Sequence, residues 1–584
     1  MKSTLLGKFL DRYWGVNESK GYRKEGERGN SLVMKILLSQ LNPIIGDLEG
    51  NTDKVLKAIE LGKQKGVDCV LFPEMTLCGY APDDLVLHDN FIDEMEDQLD
   101  RVVRASSGIS VVVGLIRRNP TYEEKNLLVS AAVIDDGNLV GFHDKWLLPT
   151  YDVFNERRYF ARGKQIQVWK IAGKRVGILI CEDMWQNAGK EISGTSYPHD
   201  PVKELVAYKP DILFNLTASP FQSAKADVRV QVCRAAVKTL KCPVVYACQV
   251  GASGALICDG YSLYMDEHGG IQKVAKGFQE DYLYIDTDSK GHMVTFEHSI
   301  MGDIKAALEL GVKDYFVKSG NSKAVIGITG GLDSAIVAAI AVKSLGKENV
   351  LGIHLPSKFT SDRHTADARD LANNLGIRLL EIPIKELHDS YAALIAPYFN
   401  VEDDGPTDEN LTMRIRSAIL MSFANKEKAM LLCANNKTEL AIGYCTLYGD
   451  MAGALSVIGD VVKTDCYVLA RYINEHDEII PVSIIDKPSS GEIRHHGKDA
   501  ETLPSYDVVD RVIKRYVEDY QDPEFIAKNE NISIDIVLDV IRRIYKTEHK
   551  RRQAAPSLRV SKKSFAVGRR KPLHYSGSTK VKVY

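Results

Sequence analysis

Short apolar runs rich in β-branched residues alternate with longer amphipathic stretches along most of the chain, and this alternation predicts an α/β protein. From Met34 to about Asp288 the runs KILLSQLNP, DCVLFPE, SVVVGLI, RVGILICED, DILFNLTAS and CPVVYACQ read as strands. Helical patterns such as NTDKVLKAIELGKQKG lie between some of them. One stretch departs from this rhythm. In LLVSAAVIDDGNLVGFHDK two strand patterns flank Asp136-Gly137-Asn138, a hairpin signal, so mixed sheets covered by helices are expected.

A second unit begins near Ser299. Helix IMGDIKAALELGVKDYF, strand AVIGI, helix SAIVAAIAVKSLG, strand VLGIHLP, a helix and strand LLEIPI follow in order. A long helical segment, strand MLLCANN and helix KTELAIGY come next. This succession predicts a doubly wound parallel sheet, which binds ligands beyond the carboxyl ends of its strands. The expected domains are 34–288 and 299–584, joined by a linker over 289–298. Residues 1–33 read as an N-terminal extension, disordered or upstream of a native start at Met34. Asp486 to Ser505, rich in Gly, Pro and Ser, reads as a loop suited to closing over substrate.

Composition narrows the function classes. With 584 residues, 45% hydrophobic and 26% charged, the chain can bury large cores. A net charge of −3 gives no reason to expect nucleic acid as a partner. No apolar run approaches the roughly 20 residues of a membrane span. The ten cysteines form no C-x-x-C pair, so neither zinc nor a redox motif is signalled, and reduced core thiols in a cytoplasmic protein are expected. The segment from Arg542 to Lys571 is basic and reads first as a solvated face, second as a site for a phosphate-bearing ligand.

The most informative local feature is AVIGITGGLDSA, Ala324 to Ala335. A strand leads into the turn Thr329-Gly330-Gly331-Leu332-Asp333-Ser334 and then a helix start. Adjacent glycines let backbone N–H groups converge on an anion, and the helix adds the positive end of its dipole. Asp333 adds a carboxylate where magnesium could sit between protein and phosphate. A plain tight turn is the ordinary account of a Gly-Gly pair. Neither G-x-x-x-x-G-K-[ST] nor G-x-G-x-x-G is present, which sets aside the common nucleotide fingerprints.

In the first unit, Glu74 ends one strand run, Lys145 follows another, and Cys181 ends RVGILI. A cysteine there can attack a carbonyl if a base takes its proton, while a lysine holds the oxyanion. Each residue also has a structural account as core or solvated edge, and spacing alone does not bring them together. The segments FPEM, HDKWLLPTYDVFNERRYF and GILICEDMW, however, resemble the nitrilase superfamily over about Met34 to Asp288. That resemblance implies an α-β-β-α sandwich with Glu74 as general base, Lys145 as oxyanion stabiliser, Cys181 as nucleophile and Glu156 as a supporting carboxylate. Its glutamine amidohydrolase branch implies that Tyr151, Ser219 and Lys225 grip glutamine.

The turn TGGLDS resembles the SGGxDS pyrophosphate motif of N-type ATP pyrophosphatases. Downstream, DENLTMRIR, NNKTELAIGYCTLYGDMAG, GDVVKTDCYVLARYIN, IIDKPSSGEIR and KRRQAAPSLRV are similar to NAD synthetase sequences. A nitrilase-type amidase joined to this unit is the arrangement of the glutamine-dependent NAD synthetase family. The resemblance implies that Gly327, Ile328, Thr329, Gly330, Gly331, Leu332, Asp333, Ser334 and Ala434 meet ATP, the co-substrate. Asp333 and Glu439 would share Mg2+, and Asn410, Glu439 and Lys550 would contact deamido-NAD+. It further implies a cytoplasmic homo-oligomer that hydrolyses glutamine, passes ammonia through an internal tunnel, and amidates adenylated deamido-NAD+ with release of AMP and pyrophosphate. Ala434 stands where the family often has threonine, which removes a hydroxyl contact worth about 1 kcal/mol. Gly459 to Thr464 also lacks the usual proline. The rivals are a GMP synthetase, whose usual glutaminase is a different Cys-His-Glu type, a regulator with inactive motifs, and a nucleic-acid binder using the basic tail.

Overall fold

The computed structural model describes residues 33–121, 124–288, 293–398, 406–487 and 504–575, apart from the side chains at 192, 193 and 406. Positions 1–32, 289–292 of the expected linker and 488–503 of the expected loop lie outside the described residues.

The first unit contains β1 (Lys35–Gln40), β2 (Cys69–Leu71), β3 (Ser110–Arg118), β4 (Leu127–Asp135), β5 (Asn138–Asp144), β6 (Val168–Ile171) and β7 (Lys174–Ile180). It continues with β8 (Ile212–Thr217), β9 (Val244–Cys248), β10 (Val250–Ser253), β11 (Leu256–Asp259), β12 (Leu263–Met265), β13 (Ile271–Val274) and β14 (Asp281–Asp286). Two six-stranded sheets result, ordered β14-β1-β2-β3-β4-β5 and β13-β12-β9-β8-β7-β6, with β10 and β11 as a separate hairpin. Both are mixed: β1, β2 and β3 pair in parallel, as do β7, β8 and β9, whereas β3, β4 and β5 pair antiparallel.

Alternation along a strand explains the layering. On β8, Phe214 and Leu216 join Val112 and Ile178 in a core shared by the two sheets. Leu213 instead joins Cys233 and Val237 of helix Lys225–Leu240 on the outer face. Helix Leu48–Gln64 contributes Val55 and Ile59 to the shared core's other flank. The unit is the expected α-β-β-α sandwich. The hairpin between β4 and β5 turns at Asp136 and Gly137, both with positive φ (47° and 74°), so glycine suits the second position.

The second unit is a parallel sheet of β15 (Ala324–Gly327), β16 (Val350–His354), β17 (Arg378–Glu381), β18 (Met430–Cys433) and β19 (Leu455–Ser456). Its order is β17-β16-β15-β18-β19. Strand succession runs one way from β15 to β17 and the other way from β15 to β19, so the crevice opens beyond the ends of β15 and β18. Helices Ile300–Lys318 and Leu332–Leu345 cover one face, burying Phe316, Ile336 and Ile340 against Ile326.

The two units are tied at several points. Asp314 accepts hydrogen bonds from Asn42 Nδ2 (2.8 Å) and Ala252 N (2.7 Å). His298, at the end of the expected linker, bridges Asp303 (2.7 Å) and Asp227 (3.1 Å). The C-terminal stretch crosses back over the first unit: Arg559 N donates to Ala255 O, and Ser223 N donates to Val560 O, each at 2.9 Å. Arg559 and Lys563 both pair with Asp152, at 2.5 and 2.7 Å. Lys550 donates to the carbonyls of Gly443 and Cys445, and Arg569 pairs with Glu548. The basic stretch is therefore a solvated face only in part: Arg552 and Lys562 are exposed, whereas acids and carbonyls elsewhere in the chain engage Lys550, Arg559 and Lys563. Among the described residues no helix is long and apolar enough to cross a membrane, and all ten cysteines are free and buried.

Candidate active sites

Lys145 emerges directly after β5, and its fully buried ammonium donates to Glu74 Oε1 (2.6 Å) and Glu156 Oε1 (2.8 Å). Glu74, three residues beyond β2, also accepts from Ala218 N (3.0 Å), which fixes its second oxygen. Glu156 sits in a short 3-10 turn and accepts from Tyr80 Oη (3.1 Å). Cys181 follows β7 with φ 49°, in the left-handed region where a non-glycine residue is strained. The register of β7 with β8, Ile180 opposite Leu216, sets Cys181 beside Thr217.

Burial alone would lower the Lys145 pKa, but the Glu156 and Glu74 carboxylates hold it well above its usual range. Lys145 is a permanent cation. Burial, and then the Glu74 carboxylate, push the Cys181 thiol well above its ordinary value, with Lys145 opposing them. The resting sulfur is a neutral thiol that needs a base. Burial raises Glu156 to about 8 against the pull of Lys145.

Glu182, next to the nucleophile, is missing from the sequence-derived set. It is buried and accepts from Tyr151 Oη (3.0 Å) and Tyr197 Oη (2.9 Å). Its neighbour Asp183 accepts from Trp146 N and Leu147 N and so holds the Lys145 loop. Lys225 donates to Pro220 O (3.0 Å) and lies over the rings of Trp185 and Phe154. Ser219 is buried on the segment following β8. Tyr151 and Glu182 thus present an anion, and Lys225 a cation, around the same nucleophile. That pattern complements an α-amino acid.

In the second unit the turn after β15 is held by its own hydroxyls. Gly331 N donates to Thr329 Oγ1 (3.1 Å), and Ser334 Oγ donates to Gly331 O (3.0 Å). Gly330 has φ 77°, and a Cβ there would lie 2.2 Å from His364 O, so the position requires glycine. A cavity of about 210 Å³ opens here, lined by Gly327, Ile328, Thr329, Gly331, Asp333, Ser334, Ala434 and Glu439 among others. Gly330 and Leu332 are not among these lining residues: the Cβ direction of Gly330 faces His364 O, and the Leu332 side chain belongs to the core.

Asp333 is ion-paired with Lys463, and Asn436 Nδ2 reaches its other oxygen at 3.4 Å. Glu439 is the third residue of helix Lys437–Ile442, in a reciprocal cap with Asn436. Burial, then the nearby Asp333 charge, raises Glu439 to about 8, with Lys463 opposing. Asn410 and Lys550 stand one layer out, around the same loop: Asn410 accepts from Thr446 Oγ1 (2.7 Å), while Lys550 holds Gly443 and Cys445. Asp450 accepts from Thr446 N and Asn435 Nδ2 and lines the cavity. Lys463, Asn435 and Asp450 were absent from the sequence-derived set. A lysine four residues after Gly459 carries no local signal of its own.

Among the described residues no three His, Cys, Asp or Glu side chains converge as a metal cage. Asp333 and Glu439 fit magnesium, which typically takes one or two carboxylates and fills its shell with phosphate oxygens and water. Lys463 beside both already marks the place as one that attracts a cation.

Comparison with known proteins defines the class first. Residues 35–292 match the carbon-nitrogen hydrolase family, and residues 304–554 match NAD synthase. The chain is 39% identical to the glutamine-dependent NAD(+) synthetase of Synechocystis sp., over 93% of this chain and 98% of that protein. The Thermotoga maritima glutamine-dependent NAD(+) synthetase is 35% identical, over 92% and 98%. A solved structure of the Acinetobacter baumannii enzyme in complex with ADP superposes with TM-score 0.73 at 32% identity, covering 93% of this chain and 98% of that one. The chain belongs to the glutamine-dependent NAD(+) synthetases, ligases that draw their amide nitrogen from glutamine.

Proposed function

We propose that this chain hydrolyses glutamine at Cys181 and delivers the ammonia to deamido-NAD+ activated by ATP at the β15 turn. The observation that carries this reading is the presence, in one chain, of a buried Glu74–Lys145–Glu156 set beside Cys181 and a carboxylate-lined cavity at the TGGLDS turn. Glu182 takes the glutamine ammonium, while Lys225 and Ser219 take its carboxylate. Glu74 accepts the thiol proton as sulfur attacks the side-chain amide, and Lys145 stands against the oxyanion. Glu74 passes that proton to the leaving nitrogen as the C–N bond breaks and ammonia departs. The carboxylate so regenerated takes a proton from the water that cleaves the glutamyl thioester and returns it to the Cys181 sulfur.

At the second site the nicotinate carboxylate attacks the α-phosphorus of ATP and pyrophosphate departs. Backbone N–H groups of the turn, the dipole of helix Leu332–Leu345 and Lys463 face the departing charge. Asp333 and Glu439 would hold Mg2+, which supplies Lewis-acid stabilisation when bound. Ammonia then displaces AMP to give the nicotinamide. Because free ammonia is mostly protonated near neutral pH, it travels inside the protein. Asn410, Glu439 and Lys550 surround the dinucleotide, the enzyme works in the cytoplasm, and it self-associates.

The test is isotopic. Incubation with deamido-NAD+, ATP, magnesium and glutamine labelled at the amide nitrogen should give NAD+ carrying the label and one AMP per NAD+. Label remaining in free ammonia, with no AMP formed, rules the reading out.

A further inference from the structure

Two lysines flank the turn after β15, and the chemistry above uses only Lys463. The second is Lys487. Its ammonium pairs with Asp367 Oδ2 (3.0 Å) and donates to the carbonyl of Gly330 (3.5 Å), inside the turn itself. Asp367 is 4% exposed and also accepts from Ser483 Oγ at 2.6 Å. The lysine is thus aimed by a buried, doubly bonded carboxylate, and its own side chain is 13% exposed.

Charge and donor count both give this arrangement a purpose. Asp333, Glu439 and Asp450 line the cavity, a surplus of carboxylates where a polyphosphate is to sit. Arg416, also in its wall, is turned to the carbonyl of Leu355. A lysine ammonium has three N–H donors. Among the described residues, Asp367 and Gly330 O occupy two of those of Lys487, which leaves one beside the turn whose backbone forms the anion cradle.

We propose that Lys487 binds the pyrophosphate portion of ATP, donating its third N–H to a phosphate oxygen on the Gly330 side of the turn, with Lys463 on the Asp333 side. The proposal rests on the reading of this cavity as the ATP site. It assigns Lys487 to ground-state binding of the nucleotide and to the hold on pyrophosphate after it leaves. The duller account is a structural tie between helix Asp362–Leu375 and the segment that carries Lys487.

Steady-state kinetics on the full-length enzyme, with ammonium as nitrogen source, separate the two. Lys487→Met should raise the KM for ATP about tenfold, the loss of one charge-assisted hydrogen bond. It should weaken inhibition by added pyrophosphate to a similar degree, without a matching rise in the KM for deamido-NAD+. Lys487→Arg, which keeps a cation, should recover most of both effects. If Lys487→Met folds poorly, equilibrium binding of pyrophosphate to Lys487→Gln and Lys487→Arg, at matched thermal midpoints, gives the same comparison. Unchanged ATP and pyrophosphate affinities with a lowered thermal midpoint overturn the proposal and leave the structural tie. A wild-type enzyme that consumes no ATP with deamido-NAD+ overturns the reading of the cavity instead.

Discussion

Lys145 carries a positive charge where no water reaches it, and Glu74 and Glu156 make that possible. Removing both carboxylates would strand the charge, at a cost of about 3 kcal/mol or more, whereas removing one leaves the ammonium paired with the other. Lys225 is the opposite case. Burial, reinforced by the Arg229 and Arg559 guanidinium groups, lowers it to about 8. It is charged below that pH and neutral above, and only the charged form attracts the carboxylate of glutamine. The kcat/KM for glutamine should therefore fall as pH rises through about 8, because this ratio reports the free enzyme. Lys225→Met should remove that limb while lowering kcat/KM throughout; a limb that persists in the variant assigns it to another group. Much of the placement at this scale was legible, since Glu74, Lys145 and Cys181 sit in distinctive segments and the structure brings them together. Glu182 was not. Its need is visible only once the Tyr151 and Tyr197 hydroxyls are seen to converge on it.

At the scale of elements, the β-branched runs marked their strands well. β1, β8 and β9 fall inside the expected segments, β3 runs two residues past the end of its segment and β7 starts one residue before its own, and the Asp136-Gly137 hairpin forms as expected. β19 escaped notice because two residues offer no period to detect. The basic C-terminal stretch is a solvated face only in part: Arg552 and Lys562 are 52% and 58% exposed, whereas Lys563 is buried against Asp152, 411 residues away, a partner no local pattern reveals. One face remains without a partner among the described residues. Leu387, Tyr391 and Leu394 of helix Lys385–Ile395, spaced as one helical stripe, are 49%, 48% and 70% exposed, with Tyr398 just beyond. Such a stripe suits burial against a second copy of the chain. Leu394→Asp should shift the enzyme to a smaller species in analytical ultracentrifugation; an unchanged sedimentation coefficient would place the contact elsewhere.

At the scale of the molecule, the two centres should fail separately. Cys181→Ala should abolish glutamine-supported NAD+ synthesis and leave synthesis from added ammonium, whereas Asp333→Ala should stop AMP formation while glutamine is still hydrolysed. Loss of both activities in a well-folded Cys181→Ala enzyme would refute the division of labour. The units are nonetheless clamped together. Arg559 and Lys563, whose side chains are 4% and 9% exposed, meet at Asp152, one residue from Tyr151. Asp152→Ala leaves both cations unmatched and should lower the thermal midpoint. It should also raise the glutamate formed per NAD+ above the wild-type ratio, measured by amino-acid and nucleotide analysis of the same reaction. A ratio that does not move would confine the clamp to stability.

That clamp also has a meaning in time. A chain emerging from the ribosome folds its leading domain first, at synthesis rates of about 5–20 residues per second. The 411 residues between Asp152 and Lys563 take roughly 20 to 80 s to make at that pace. Throughout that interval the nascent glutamine-cleaving unit has its own nucleophile but lacks the strap that secures its rim. A later-made segment of the polypeptide is thus what secures the rim of an earlier-made unit, so a product clipped before Arg559 carries that rim without its strap.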